Sequence, residues 1–276
     1  MVYAKNWTGI VRGQGSHWYT KSGEAQHDAD LRVARKATLY PSVTTVDKDV
    51  FINPFLDKWK QDQILIAAGD NHLQPHENAQ QYAQRIWDIS MEKSRVAMEF
   101  GNKIHDAIEN HPQEPEDKSL LPWFVEFSKW WDNTKLESVA SEAILLDHDL
   151  GVAGKTDKIA RGPNGRVVAD WKTQDVKVDD KGRKKPVFYD SWGRQLAFYA
   201  GCDAKQSGTW PELPECISLV IDSNPGGLVY EKLWDRDEIK SAYKTFVTGA
   251  WLWFDKRGYW PVGQWDATFT RIPMPS

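Results

Sequence analysis

Two carboxylates and a lysine stand at the ends of what reads as a hairpin. In residues 151–173, GVAGKTDKIARGPNGRVVADWKT, a mixed apolar and polar run over 152–160 leads into Arg161-Gly-Pro-Asn-Gly-Arg166, dense in turn residues. Val167-Val-Ala-Asp-Trp-Lys172 follows, β-branched and then abruptly charged. This is the pattern of two strands joined by a tight turn. Side chains alternate across a strand, so Asp170 and Lys172 share one face and Trp171 takes the other. An antiparallel hairpin carries Asp157 back beside them. Carboxylate oxygens are hard donors that suit Mg²⁺ or Mn²⁺, and a lysine near such an ion can position a water or offset charge developing on phosphorus. The same residues also describe ordinary ion pairs on a solvated strand end, Asp170 with Lys172 or Asp157 with Lys155.

Other candidates lie on the flanking elements. Tyr82, Ile86, Ile89, Val96, Phe100, Ile104 and Ile108 recur at three-, four- or seven-residue steps, which predicts a long helix over 77–110 with these residues inward. It carries His105, with Glu109 four residues on along the same face. Imidazole can serve as a further ligand for Mn²⁺ or Mg²⁺, or the histidine is structural or solvated. Gly101, one turn earlier, is costly inside a helix unless something approaches closely. Residues 139–146 read as a strand in which Glu142 is the one charge, needing a partner, a metal or a head in water. A helix over 192–201 sets Gln195 and Tyr199 on one face.

Taken in order, Gly101-x-x-x-His105, Glu142, Gly154-x-x-Asp157, Asp170-Trp-Lys172 and Gln195-x-x-x-Tyr199 resemble the PD-(D/E)xK nuclease superfamily. The set is similar to the branch of RecB-like and phage-type exonucleases, with the mitochondrial genome maintenance exonuclease and the CRISPR-associated exonucleases. The resemblance spans about residues 105–199; Tyr40-Pro-Ser-Val-Thr-Thr45, Trp59 and the arm at His17-Trp-Tyr add to it less specifically. It implies a restriction-endonuclease-like core, a central mixed β-sheet flanked by helices. It further implies Mg²⁺ or Mn²⁺, one or two ions, held by His105, Asp157, Asp170 and the backbone carbonyl of Trp171. Lys172 is the implied catalytic lysine, and Glu142 matches the first acidic position, orienting the site or touching metal through water. Gln195 and Tyr199 then help bind DNA or order the lysine. The implied activity is metal-dependent DNA exonuclease action in phage or bacterial recombination, replication or repair, with a recombination or single-strand-binding protein as a further partner. Two departures narrow it. The chain has two cysteines, not the four that an iron–sulfur cluster takes, and no G-x-x-x-x-G-K-[ST] for a nucleotide-driven motor. A non-catalytic DNA-binding or assembly protein on the same fold is the alternative, and a hydrolase of smaller phosphate esters a third reading.

The remaining sequence fits an α/β or α+β protein with a helical N-terminal part. Residues 1–40 read as an irregular or two-stranded arm with Trp7, His17, Trp18 and Tyr19, and 31–36 as a short basic helix or strand. A helical region starts near Pro41, capped by Ser42 or Thr44, with Phe55, Leu56, Trp59, Ile64 and Leu65 as its apolar positions. An aromatic helix is expected over 123–134, strands over 216–222 and 228–234 about a turn at 223–227, and a last helix over 235–257. Within 174–190, Lys177, Lys181, Arg183, Lys184 and Lys185 make either a solvated loop or a basic clamp on a nucleic-acid backbone, with Lys184 and Lys185 the DNA-binding candidates. Of fifteen tryptophans, Trp18 and Trp192 stand out as base-stacking platforms, the rest as core. Net charge is −4, against bulk coating of nucleic acid but compatible with a local groove. Cys202 and Cys216 read as buried thiols in a reducing compartment. No run approaches membrane length, so no membrane partner and a cytoplasmic setting, bacterial or phage-infected, are expected. A single nuclease domain is expected over 1–276, with an arm and helical elaboration over 1–76 and the core over 77–276.

Overall fold

The computed structural model describes residues 17–224 and 226–263. Residues 1–16, including Trp7, lie outside these, as does Pro225 of the 223–227 turn. Two short strands, β1 (Trp18–Tyr19) and β2 (Ala25–Gln26), precede helix α1 (Leu31–Ala37), strand β3 (Tyr40–Pro41) and helix α2 (Val43–Val50). The three strands form a small antiparallel sheet in the order β2-β1-β3. The stretch over 31–36 is helical because the Asp30 carboxylate accepts the N–H groups of Arg32 and Val33. Ser42 caps α2 by accepting the N–H of Thr45.

The helical region beginning there is two helices, not one. Proline disfavours helical backbone in the residue before it, so Pro54 holds Asn53 extended, and Asn53 caps a new helix, α3 (Pro54–Asp70). Of the apolar residues expected to face inward on α3, Phe55 is 86% and Leu65 69% exposed, Leu56 and Trp59 are exposed too, and Ile64 is half-buried. Helix α4 (Ala79–Glu109) starts with a reciprocal capping box between Asn78 and Gln81. Its C-terminal half is buried as expected at Ile104 and Ile108, whereas Ile89 and Val96 are exposed. The apolar period is there along the whole helix; in the N-terminal half Ile86 is buried as expected, but only the C-terminal half joins a sheet core.

After helix α5 (Leu121–Thr134) come strands β4 (Glu137–Asp147), β5 (Val152–Gly162) and β6 (Gly165–Gln174), helix α6 (Asp190–Ser207), strands β7 (Glu215–Asp222) and β8 (Val229–Leu233), and helix α7 (Arg236–Arg257). They build a five-stranded sheet in the order β4-β5-β6-β7-β8. β4, β5 and β6 are antiparallel; α6 crosses over so that β7 runs parallel to β6, and β8 closes antiparallel. This is the central mixed sheet flanked by helices that the sequence predicts.

The two faces of the sheet are covered separately. On one, Leu196, Phe198 and Tyr199 of α6 pack with Tyr243, Phe246 and Phe254 of α7 over Ile159 and Val168. On the other, Ile104 and Ile108 of α4 pack with Phe124 and Phe127 of α5 over Ala169, Trp171 and Leu219. Trp18 belongs to the first core: it is 2% exposed and packs on Trp253 and Tyr259 at 6.0 Å between ring centroids, so it is no stacking platform. Cys202 and Cys216 are free and buried, and burial pushes both thiols well up. Among the described residues no helix is long and apolar enough to cross a membrane.

The α6–α7 contact depends on an absent side chain. A Cβ on Gly201 would lie 2.4 Å from Cε2 of the buried Tyr243 ring. Gly201→Ala is therefore expected to destabilise the fold by about 1–3 kcal/mol, read as a lower denaturant midpoint at unchanged slope. Gly69→Ala on α3, where nothing lies within 4 Å, should instead raise stability by up to about 1 kcal/mol.

Candidate active site

The site opens where two paired strands part. β5 and β6 pair from Lys158↔Ala169 to Gly162↔Gly165, and their register goes no further. β6 then continues beside β7 to Gln174↔Asp222, while β5 continues beside β4 to Val152↔Asp147. Asp157 and Asp170 are the first residues past the last pair, one on each diverging strand.

Alternation along β6 distributes its side chains as the sequence predicts. Ala169 and Trp171 join the α4–α5 core, and Val168 joins the α6–α7 core. Asp170 and Lys172 share the α6 side and are ion-paired with one another. Asp170 is 2% exposed, whereas the Lys172 side chain keeps 24% exposure. On β5, Asp157 accepts the Trp171 N–H through Oδ2 at 2.5 Å. Its Oδ1 lies 3.7 Å from Nδ1 of His105, which α4 carries to this end of the sheet. Gly101, one turn earlier, lies against Thr173 with room for a methyl group: a Cβ there would sit 3.5 Å from the threonine, an ordinary contact.

Alternation slips beside Asp157. Lys158 lies over the Trp131 ring on the α5 side, yet Gly154, four residues earlier, lies against Tyr199 on the α6 side. On the neighbouring strand Ser141 meets Lys158, whereas Leu145 joins the α6–α7 core. Between them Glu142 has φ +49°, a left-handed conformation that costs a non-glycine residue about 1–2 kcal/mol. The register places Glu142 opposite Asp157, since Ser141↔Lys158 and Ala143↔Thr156 bracket the two. Its carboxylate is ion-paired with Lys155.

The electrostatics follow from burial. Desolvation pushes the Asp170 carboxyl up to about 6 despite Lys172, and the Asp157 charge adds to the rise. Burial acts on Asp157 in the same direction, but His105, Lys172 and the Trp171 N–H outweigh it and hold that carboxyl below its ordinary range. Burial would lower the Lys172 ammonium, but the Asp170 and Asp157 carboxylates outweigh it and hold the ammonium up. Oδ2 of Asp170 is taken by the Lys172 ammonium.

The other predicted site residues are spread around this centre. Gln195 and Trp192 line a groove of about 1570 Å³ with Lys172, bounded by α2, the start of α3, the N-terminal half of α4 and the start of α6. Tyr199 is 2% exposed, too deep to touch DNA; its hydroxyl accepts from Gln195 Nε2 at 2.9 Å. Its ring occupies the space a Cβ on Gly154 would need, 2.6 Å from Cε1, so Gly154 is the residue that lets Tyr199 approach β5. Lys184 does not stand free on its loop, since Nζ binds the fully buried Asp222 carboxylate at 2.6 Å. Lys185 is exposed beside it. Trp87, Arg95 and Tyr189, none singled out from the sequence, also line the groove. No local pattern marks them, because the groove arises from α4 standing across from the head of α6.

No family model matches the chain, and no curated protein does. Solved structures with a similar arrangement include an alkaline exonuclease from Laribacter hongkongensis, at 11% identity and a TM-score of 0.34 over 78% of this chain and 89% of that one. The same enzyme in complex with dAMP gives 11% and 0.34 over 72% and 86%. A candidate exonuclease from Eubacterium rectale gives 14% and 0.37 over 81% and 83%. The case for an activity therefore rests on the residues themselves.

The Lys172 ammonium is what keeps Asp170 from titrating higher still. In Lys172→Met, burial and the Asp157 charge remain and the opposing cation is gone. The Asp170 carboxyl should then titrate above about 6, as followed by carbon-detected NMR of the carboxyl resonance. An unmoved titration would show that the lysine does not act on this carboxylate.

Proposed function

We propose that this chain is a metal-dependent DNA exonuclease that hydrolyses phosphodiester bonds. The observation that carries the reading is Lys172: paired with a buried aspartate, beside Asp157 and His105, and still open to the groove. A structural ion pair has no need of a second buried carboxylate next to the first, since each makes the other's charge harder to hold. A divalent cation removes that conflict. Among the described residues no three His, Cys, Asp or Glu side chains converge on one point, and the lysine ammonium stands at Asp170. The donor chemistry nonetheless fits a hard ion: two carboxylates and an imidazole. Asp157, Asp170, His105 and the Trp171 carbonyl would hold Mg²⁺ or Mn²⁺. Such an ion, when bound, polarises a phosphoryl oxygen and acidifies water.

The protein's own groups then have distinct tasks. The Trp171 N–H fixes one oxygen of Asp157, so that carboxylate is oriented before substrate arrives. Lys172 presents a positive charge to the groove, where it holds the attacking water and offsets charge developing on the scissile phosphate. Gln195, held by Tyr199, lines the same groove and limits where the strand can lie. Glu142, opposite Asp157 on the neighbouring strand, is held by Lys155.

End-labelled DNA incubated with Mg²⁺, Mn²⁺ or EDTA tests the proposal. Wild type should release nucleotides with either ion and none in EDTA. Lys172→Ala should lower the rate at least about 100-fold while leaving DNA affinity within a few-fold. Absence of cleavage by wild type, with DNA still bound, would support the non-catalytic DNA-binding reading instead.

A further inference from the structure

We propose that the groove above Lys172 takes an unpaired DNA strand, with bases stacked on Trp87 of α4 and Trp192 at the head of α6. The inference rests on the nuclease reading and names the form of its substrate.

The tryptophans sort themselves by their surroundings. Trp18, Trp123, Trp171, Trp234 and Trp253 are buried. Trp87 is half-buried, lines the groove, and among the described residues makes no ring contact with another aromatic side chain. Trp192 lines the same groove, packed on the α6–α7 core and held edge-on by Tyr189 at 5.0 Å and Phe188 at 6.2 Å between centroids. Two indoles bordering one cleft that opens onto a catalytic lysine suit a ligand with flat, apolar faces. Bases offer such faces only when unpaired and splayed from a duplex.

Charge argues in the same direction. Lys48, Lys60, Arg95, Lys172 and Arg194 line the groove, but so do Asp47, Asp57, Asp88, Glu92 and Asp190. Arg194 is already bound to Asp47 at 2.5 Å, and Arg95 to Glu92 at 2.6 Å. A groove with no net charge is poorly suited to the many phosphate contacts that hold duplex DNA. Stacking on indoles adds affinity that does not come from phosphate contacts, which suits an unpaired strand in a groove with few free cations.

The length of α4 sets the reach. Trp87 and His105 are 18 residues apart on one helix. At 1.5 Å per residue that is about 27 Å, so a strand must be several nucleotides long to span it. A 12-mer fills that length with nucleotides to spare, whereas a 4-mer leaves much of it empty.

The test is fluorescence-anisotropy binding in EDTA, where no cleavage is expected, using labelled oligothymidylates of 4 and 12 nucleotides and a 12-base-pair duplex. Wild type should bind the 12-mer at least about tenfold more tightly than the 4-mer, and more tightly than the duplex. Trp87→Ala should lose about tenfold on the 12-mer, corresponding to one stacked base, and Trp87→Phe should recover most of it. Trp59→Ala, on an exposed position of α3 outside the groove lining, should bind as wild type. Wild-type affinity in a folded Trp87→Ala, or tighter binding of the duplex than of the 12-mer, would overturn the proposal. Because the readout is binding, the two readings fail separately. A protein that binds single strands through Trp87 but never cleaves keeps this inference and loses the nuclease. One that cleaves through Lys172 with Trp87→Ala unaffected does the reverse.

Discussion

An ammonium and a carboxylate two residues apart on one strand, the carboxylate buried and the ammonium at the edge of the core, constrain everything around them. A buried pair of this kind is costly to desolvate and much more costly to break. It persists here because β6 is covered on both faces, by α6 and α7 on the side of the pair and by α4 and α5 on the other. Asp170 sits under that cover, while Lys172, one pleat further, has reached the edge of α6 and keeps contact with the groove. A pair entirely inside would be inert, and a pair entirely outside would be screened and weak. Its placement at the boundary of the core gives the lysine both a fixed position and access.

The parting of β5 from β6 is what makes room at that boundary. Had the ladder continued, the Trp171 N–H would belong to a neighbouring strand's backbone. Instead it is free to orient Asp157. The slip in alternation and the left-handed Glu142 occur at the same level of the sheet, so the cost of opening the ladder is met on β4 and β5 and β6 stays regular. Gly154 and Tyr199 then fill the gap from the α6 side, closing the bottom of the site without placing a further charge in it.

Much of this was legible in the sequence because it depends on short-range chemistry. The turn at Arg161-Gly-Pro-Asn-Gly-Arg166 and the alternation about Trp171 leave local signatures that place their residues where the structure has them, and the period of α4 marks the helix itself. What the sequence conceals is which apolar face meets a core. Phe55 and Leu65 on α3, and Ile89 and Val96 on α4, carry the residue types of a buried helix and are exposed, because the core ends at the C-terminal half of α4. Trp18 fails in the opposite sense: a tryptophan on a polar arm gives no sign that Trp253 and Tyr259, over 230 residues away, will enclose it. Lys184 likewise belongs to a basic run, but its partner Asp222 comes from another strand. Glu142 was conspicuous as a lone charge; its backbone conformation could not be read from any pattern.

The two thiols give the fold a practical property. Cys202 is enclosed by the α6–α7 core and Cys216 lies on β7 in the same core, with their deprotonated forms disfavoured by burial. Since the thiolate is the species that alkylating reagents attack, the folded protein offers them almost nothing to react with. A single cysteine introduced on the exposed faces of α3 or α4 could therefore be labelled without removing either native one. The surroundings of the labelled position could then be followed by spectroscopy in an otherwise unaltered chain.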